Sequence, residues 1–473
     1  MLELYEKSAV ELRRMIGCKD ISPVEILESC ISRIDAVDSN LNAMVTRSFD
    51  NARIQAQKAE AAIMAGEFLG LLHGLPVGIK DLESTSGIRT TFGSNIYKTN
   101  VPRADQNSVA KIRRAGGIII GKTNTPEFGA GANTRNFVFG ATGNPFDPDK
   151  TCGGSSGGSA VALASNMIPL ASGSDYGGSL RTPAAFCGVV GFRPSAGVVA
   201  SEQRPVGLLP FSVLGPMARN VDDVFLLLKA QAGSNPYDPF SVSEPKGLSL
   251  GLETADLNST RVLISKDLDG SPLSKKYEEI FCSRIELIKN NFSHADWGDP
   301  DFAEVDNCFE VLRGVNFVAA HGERVRNYRN KLGPNVIENV ERGLKYNLED
   351  VAHAHLQQTR IARSWLKLFN DYDVIIAPAA SVTPFPHSEW SVEEIDGRKM
   401  QTYMEWLAIT YRPTMAMACG IVLPCGLDHQ KMPFGIQLLA APGKDRHLLE
   451  IAKAVEKSLA QNDETKRPVP ILT

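Results

Sequence analysis

Apolar spacing divides the chain into stretches with different periods. Ser22-Pro23-Val24-Glu25 is followed by Ile26, Leu27, Cys30, Ile31 and Ile34, a 3.6-residue stripe behind a capping box with proline at the first helical position. Residues 51–65, rich in Ala, Gln and Glu, predict a second helix, so 1–65 reads as a helical segment packing on a core. From Leu75 the pattern changes to short apolar runs bounded by Gly and Pro: Pro76–Ile79, Gly117–Gly121 and Ile168–Ala171. Such runs predict strands buried on both faces, with helical stretches between them. Between 235 and 370 a weak strand at Leu263 is followed by more charged helices over 272–290, 311–347 and 349–370. Strands return at Asp373–Pro378 and Pro433–Leu439, and a helix runs from Asp445 to Leu459. The expected fold is therefore α/β, one large domain whose mixed, mostly parallel central sheet is flanked by helices on both faces. Its segments are 1–65, a core over 66–235, a helical excursion or cap over 236–370, strands and a helix completing the sheet over 371–465, and a loose tail over 466–473.

Composition narrows the function. With 43% hydrophobic and 22% charged residues over 473 positions, the chain has the balance of a globular protein, which excludes disordered and fibrous classes. Lys plus Arg is 50 and Asp plus Glu is 54, so no basic field exists for a phosphate backbone and no nucleic-acid partner is expected. The acidic start lacks a signal-peptide pattern and no long apolar run occurs, so a soluble, cytoplasmic protein away from membranes is expected. Eight cysteines lie scattered without C-x-x-C spacing, and His353 and His355 would diverge on a helix. Reduced thiols and no metal site follow. What remains to explain is 40 glycines, eight of them crowded between Gly153 and Gly188.

Cys152-Gly-Gly-Ser155-Ser156-Gly-Gly-Ser159-Ala160 offers three hydroxyls on nearly bare backbone. It is not a phosphate loop, because no Gly-Lys-Ser/Thr closes it and turn-formers, not a strand, precede it. The missing strand also counts against a hydrolase nucleophile elbow. Twenty-four residues after Ser155 stands Ser179, at the end of a second island, Gly173-Ser174-Asp175-Tyr176-Gly177-Gly178-Ser179. Its bare N–H groups can converge on an oxygen, which is what an oxyanion hole requires. A serine nucleophile needs a base, and no histidine lies near either island. Lys80 is the candidate: it ends an apolar strand, where partial desolvation can free it of its proton, although an arbitrary lysine is more often a surface one.

These residues resemble the amidase signature family. The resemblance rests on Gly74-Leu-Pro-Val-Gly-Ile-Lys80-Asp81, Gly121-Lys-Thr-Asn-Thr-Pro-Glu-Phe128, the 153–160 glycine-serine stretch, Ser174–Arg181 running on to Gly188, and Pro433–Gln437. It covers nearly the whole chain, most strongly over 74–200 and least over 235–400. It implies amide hydrolysis without metal or organic cofactor. By similarity, Lys80 is the base, Ser155 the bridging serine on a cis peptide and Ser179 the nucleophile, with an oxyanion hole from the N–H groups of Tyr176, Gly177, Gly178 and Ser179. Asp175 and Arg181 are expected to brace the loop, Ser156 and Ser159 to be structural, and Asp81 to face away from Lys80 into a structural hydrogen bond. Tyr176 departs from the family's usual small residue and would narrow the site.

By the same resemblance the substrate pocket is expected along 127–139, with Phe128, Phe137 and Phe139, and in the C-terminal region, where helical spacing would place Tyr403, Trp406 and Leu407 on one face of the aromatic stretch; core packing is the equal alternative for those three. Apolar lining would favour a small aliphatic, aryl or anilide amide. Two other readings stand beside it: the glutamine-hydrolysing subunit of a tRNA-dependent amidotransferase, which tends to carry an acidic residue where Trp406 stands, and a non-catalytic scaffold of the same fold. A homodimer is expected, with the 1–65 segment available for its interface.

Overall fold

The computed structural model describes residues 3–241 and 247–472; Met1, Leu2 and Thr473 of the expected terminal segments lie outside them. The N-terminal part contains α1 (Ala9–Gly17), α2 (Pro23–Val37), β1 (Met44–Arg47) and α3 (Phe49–Met64). The glycine-rich part follows with β2 (Pro76–Lys80), α4 (Asn107–Arg114), β3 (Ile118–Thr123), α5 (Gly157–Ala164), β4 (Leu170–Asp175), α6 (Arg181–Cys187), β5 (Val190–Arg193), β6 (Val213–Ala218) and α7 (Val221–Gln231). Then come β7 (Arg261–Ile264), α8 (Lys275–Ile288), β8 (His294–Trp297), α9 (Val305–Tyr328), α10 (Pro334–Gly343) and α11 (Leu348–Leu368). The chain closes with β9 (Val374–Pro378), α12 (Ala408–Met415), β10 (Cys419–Leu427), β11 (Pro433–Ala440) and α13 (Asp445–Leu459). The capping box at Ser22 forms as its sequence requires: Ser22 Oγ accepts from Val24 and Glu25 N–H, and Glu25 Oε2 accepts from Ser22 N–H at 2.7 Å.

All eleven of these strands share one sheet, in the order β1-β3-β2-β4-β6-β5-β10-β11-β9-β7-β8. The helices α5 with α6, and α7 with α13, cover its central strands from the two sides. The sheet is mixed, but the expected parallel majority is not what forms. Parallel pairing is confined to β3–β2–β4 and to β9–β7–β8, while the centre and the β1 edge are antiparallel. For one of these pairs the reason is connection length: β10 and β11 are joined by a turn of five residues, too short for the crossover a parallel pair needs. The 236–370 span supplies β7 and β8 to this same sheet as well as its helices. At the other end of the chain, Arg467 Nε donates to Gly188 O at 2.9 Å. The parallel strands β2 and β4 end side by side at Lys80 and Asp175, and ligand sites in such sheets favour the carboxyl ends of strands.

Candidate active site

Lys80 closes β2 and is fully buried. Its Nζ stands among three hydroxyls, Ser155 Oγ at 2.8 Å, Ser156 Oγ at 2.9 Å and Ser174 Oγ at 3.0 Å. An ammonium spends one N–H on each; a neutral amine has two N–H groups and a lone pair, so one hydroxyl must turn and donate. Ser156 has another acceptor in the Ser174 carbonyl, which leaves Ser155 and Ser174 free for that role. Burial pulls the Lys80 ammonium down to about 7, against the upward pull of the Glu83 and Asp175 carboxylates. Both protonation states are therefore populated near neutrality. Behind it, Ser172 Oγ accepts from Lys80 N–H and donates to Glu83, while Asp81 points away and binds Thr91 N–H at 3.1 Å. Lys122, also fully buried, donates to Thr85 Oγ1 at 2.7 Å and to the Glu83 carbonyl.

The Gly154–Ser155 peptide is cis. Gly129, at φ +72°, passes so close that a Cβ there would lie 3.3 Å from Ser155 Oγ. Ser156 N–H donates to Ser179 O at 3.2 Å, tying the two glycine-serine islands together. Ser159 bonds Thr123 Oγ1 and Ser172 O and takes no part at Lys80. A strand over 147–151 does lead into the first island, contrary to the bare turn expected, but it is a polar strand of a small hairpin outside the main sheet.

Asp175 organises the second island. Its carboxylate takes Arg181 Nε at 3.0 Å, Arg181 Nη2 at 3.1 Å, Arg193 Nη1 at 3.2 Å and the N–H groups of Gly178 and Leu180. Burial would raise this carboxyl, but Arg181 and Arg193 outweigh it and hold it well below the usual range. Arg181 reaches on to Gln437 Oε1 and Thr414 Oγ1, so the loop is anchored in the C-terminal part of the chain. The Gly178 N–H, one of four expected oxyanion donors, is thus taken by Asp175 Oδ1 at 2.9 Å, whereas those of Tyr176, Gly177 and Ser179 have no acceptor among the described residues. Gly178 itself, at φ +120°, leaves no room for a Cβ, which would meet Thr410 Oγ1 at 2.3 Å. No hydrogen bond joins the Ser155 and Ser179 hydroxyls among the described residues.

Two openings meet this cluster. Ser179 lines a small cavity with Tyr176, Gly177, Arg313, Met404 and Leu407. Ser174 is on the wall of a larger cleft of about 690 Å³, with Leu82, Phe92, Tyr97, Phe128 and Arg324. Phe128 therefore stands where a pocket residue should. Leu407 lines the Ser179 cavity, but Phe137, Trp406 and Tyr403 line neither opening. Phe137 is 60% exposed and packs near Trp390, away from both openings. Trp406 is buried between Phe186 and Phe385 as core, because 405–407 form a 3₁₀ turn before α12 rather than one helix with Tyr403. Tyr403 faces a separate surface pocket and acts through its Oη, which accepts from Arg313 Nη2 at 2.8 Å. Sequence reasoning missed Arg193, Ser174 and Arg313. Arg193 carries the signal that marked Lys80, a charged residue closing a buried strand, and Arg313 lies among the apolar positions of its helix.

With the geometry in place, the chain can be set beside known proteins. The Amidase family model matches residues 25–449. The sequence is 32% identical to a glutamyl-tRNA(Gln) amidotransferase subunit of Geobacter sp. (strain M21), over 96% of this chain and 98% of that protein. It is 31% identical to an acylamidase of Rhodococcus erythropolis, over 96% and 95% respectively. Among solved structures, a bacterial aryl acylamidase of the amidase signature enzymes superposes with a TM-score of 0.89 at 25% identity, covering 96% of each chain. The chain belongs to the amidase signature family and is a hydrolase acting on amide bonds.

Proposed function

We propose that this protein hydrolyses a small linear carboxylic amide, aliphatic, aryl or anilide, to a carboxylate and ammonia or an amine through an acyl-enzyme on Ser179. The observation that carries this reading is the buried Lys80 Nζ within 2.8 Å of Ser155 Oγ. Neutral Lys80 takes the Ser155 proton as Ser155 takes that of Ser179; substrate binding closes the contact between the two serines, as catalytic hydrogen bonds often tighten only in the complex. Ser179 Oγ attacks the carbonyl, and the free N–H groups of Tyr176, Gly177 and Ser179 hold the oxyanion. The proton returns through Ser155 to the leaving nitrogen as the C–N bond breaks. Water then repeats the sequence on the ester and frees Ser179. Asp175, held by Arg181 and Arg193, shapes the oxyanion loop by engaging Gly178.

The glutamine-hydrolysing reading is supported by the likeness to the Geobacter protein. Against it, free glutamine brings an ammonium that needs a counter-charge, and no carboxylate lines the Ser179 cavity among the described residues. The purified protein alone should release ammonia or aniline from benzamide, butyramide or an anilide. Turnover of glutamine only, or only with a partner protein added, sinks the stand-alone amidase. Ser179→Ala should abolish both turnover and labelling by a fluorophosphonate, and persistent labelling would place the nucleophile elsewhere.

A further inference from the structure

Arg313 reaches the Ser179 cavity from α9 and is only 4% exposed. It is gripped from behind: Nε donates to Asn339 Oδ1 at 2.8 Å and Nη2 to Tyr403 Oη at 2.8 Å. Its guanidinium also lies 4.5 Å from the Phe317 ring centroid and 5.6 Å from that of Tyr176. No carboxylate pairs with it among the described residues. The acids one and two turns earlier on α9 are engaged elsewhere, Glu310 by Thr402 and Arg342 and Asp306 by Arg412 and Tyr411. A buried cation whose hydrogen-bond partners are all neutral, and whose nearby carboxylate Glu310 it shares with Arg342, has room for a counter-ion of its own. A second, independent observation points to the same place. Tyr176 also lines this cavity, its ring lies beside the Arg313 guanidinium, and its buried Oη has no hydrogen-bond partner among the described residues.

We propose that Arg313 and Tyr176 form a carboxylate-binding subsite in front of Ser179, so that the preferred amide carries a second, ionised carboxyl group. The carboxylate would accept from the Arg313 guanidinium and the Tyr176 O–H, two donors on one wall, while the amide carbonyl meets the N–H groups of Gly177 and Ser179 on another. This rests on Ser179 being the nucleophile. Because one small cavity holds both, the carboxylate and the scissile carbonyl are separated by a short spacer. That chemistry has two sources: a monoamide of a dicarboxylic acid, with the charge on the acyl side, or an N-acylated amino acid, with the charge on the amine side.

Two matched pairs separate them: succinamate against butyramide, and N-benzoylglycine against N-propylbenzamide. In one pair the wild type should prefer the charged member in kcat/KM, and Arg313→Gln should cut that preference roughly 10- to 100-fold, chiefly through KM. Arg313→Lys should restore part of it and Tyr176→Phe should lower it less. A preference unchanged in Arg313→Gln overturns the subsite, however far the absolute rates fall, and so does a wild type indifferent in both pairs. Should Arg313→Gln not fold, succinate or N-benzoylglycine must still protect wild-type Ser179 from a fluorophosphonate more strongly than butyramide does; equal protection overturns the proposal. Hydrolysis of butyramide that vanishes in Ser179→Ala upholds the amidase reading even where the subsite fails, and failure to hydrolyse any amide brings down both.

Discussion

With three hydroxyls around it, Lys80 Nζ reverses the direction of one hydrogen bond each time it gains or loses a proton. In the proposed relay only the deprotonated form can receive the proton from Ser179, so kcat/KM should climb with pH along an acid limb centred at about 7 and fall about tenfold per unit below it. A rate flat from pH 5 to 9 would remove Lys80 from the base role. The Glu83 carboxylate favours the charged lysine, so Glu83→Gln should move that limb to lower pH; a shift upward, read from the same profile, would contradict the electrostatics. The cluster also shows why a lone lysine could be singled out at all. Lys80 and Lys122 are both buried and both pulled down by burial, Lys122 to about 8, yet Lys122 meets a carbonyl and a threonine where Lys80 meets three serines.

Among the elements, those with a strict apolar period were legible and those without one were not. β2, β3, β11, α2 and α13 lie where their spacing predicts. β1 escapes notice because Met-Val-Thr-Arg is a short edge strand with a partly exposed face, and β10 because Gly420, Pro424 and Gly426 interrupt its apolar run. The single helix expected over 311–347 is two, α9 and α10, parted at Gly333-Pro334, the proline opening α10. The catalytic candidates were legible because each sits at an element's end, in a sequence with almost no freedom. The cavity wall was legible only in part: Tyr176 and Leu407 were within reach of the sequence, but Arg313 joins them only through the fold. The Ser22 capping box, far from the site, should act on stability alone: Ser22→Ala should lower unfolding free energy by about 1 kcal/mol in a denaturant titration, with kcat/KM unchanged. A change in kcat/KM would mean α2 communicates with the site.

At the scale of the molecule, strands late in the chain are inserted between earlier ones: the β10–β11 hairpin lies between β5 and β9. This carries Gln437 beneath the Ser179 loop, where it accepts from Arg181 and donates to Pro378 O and Ile409 O. Gln437→Ala should therefore lower kcat about tenfold or more by loosening the loop, although it touches no expected reacting group; an unchanged kcat would show that Asp175 and Arg193 suffice. Asp175→Asn is a harsher change, leaving two buried guanidinium groups without their counter-ion, and should cost about 3–5 kcal/mol in thermal or denaturant unfolding. The same insertion has a consequence during synthesis. A nascent chain that stops short of Ala408 already holds Lys80, Ser155 and Ser179, yet lacks Thr410, Thr414 and Gln437, which brace Gly177 and Arg181. Folding on the ribosome proceeds from the N-terminus, so a chain ending before Ala408 should carry the proposed catalytic residues without the contacts that brace their loop, and should take up no fluorophosphonate label at Ser179.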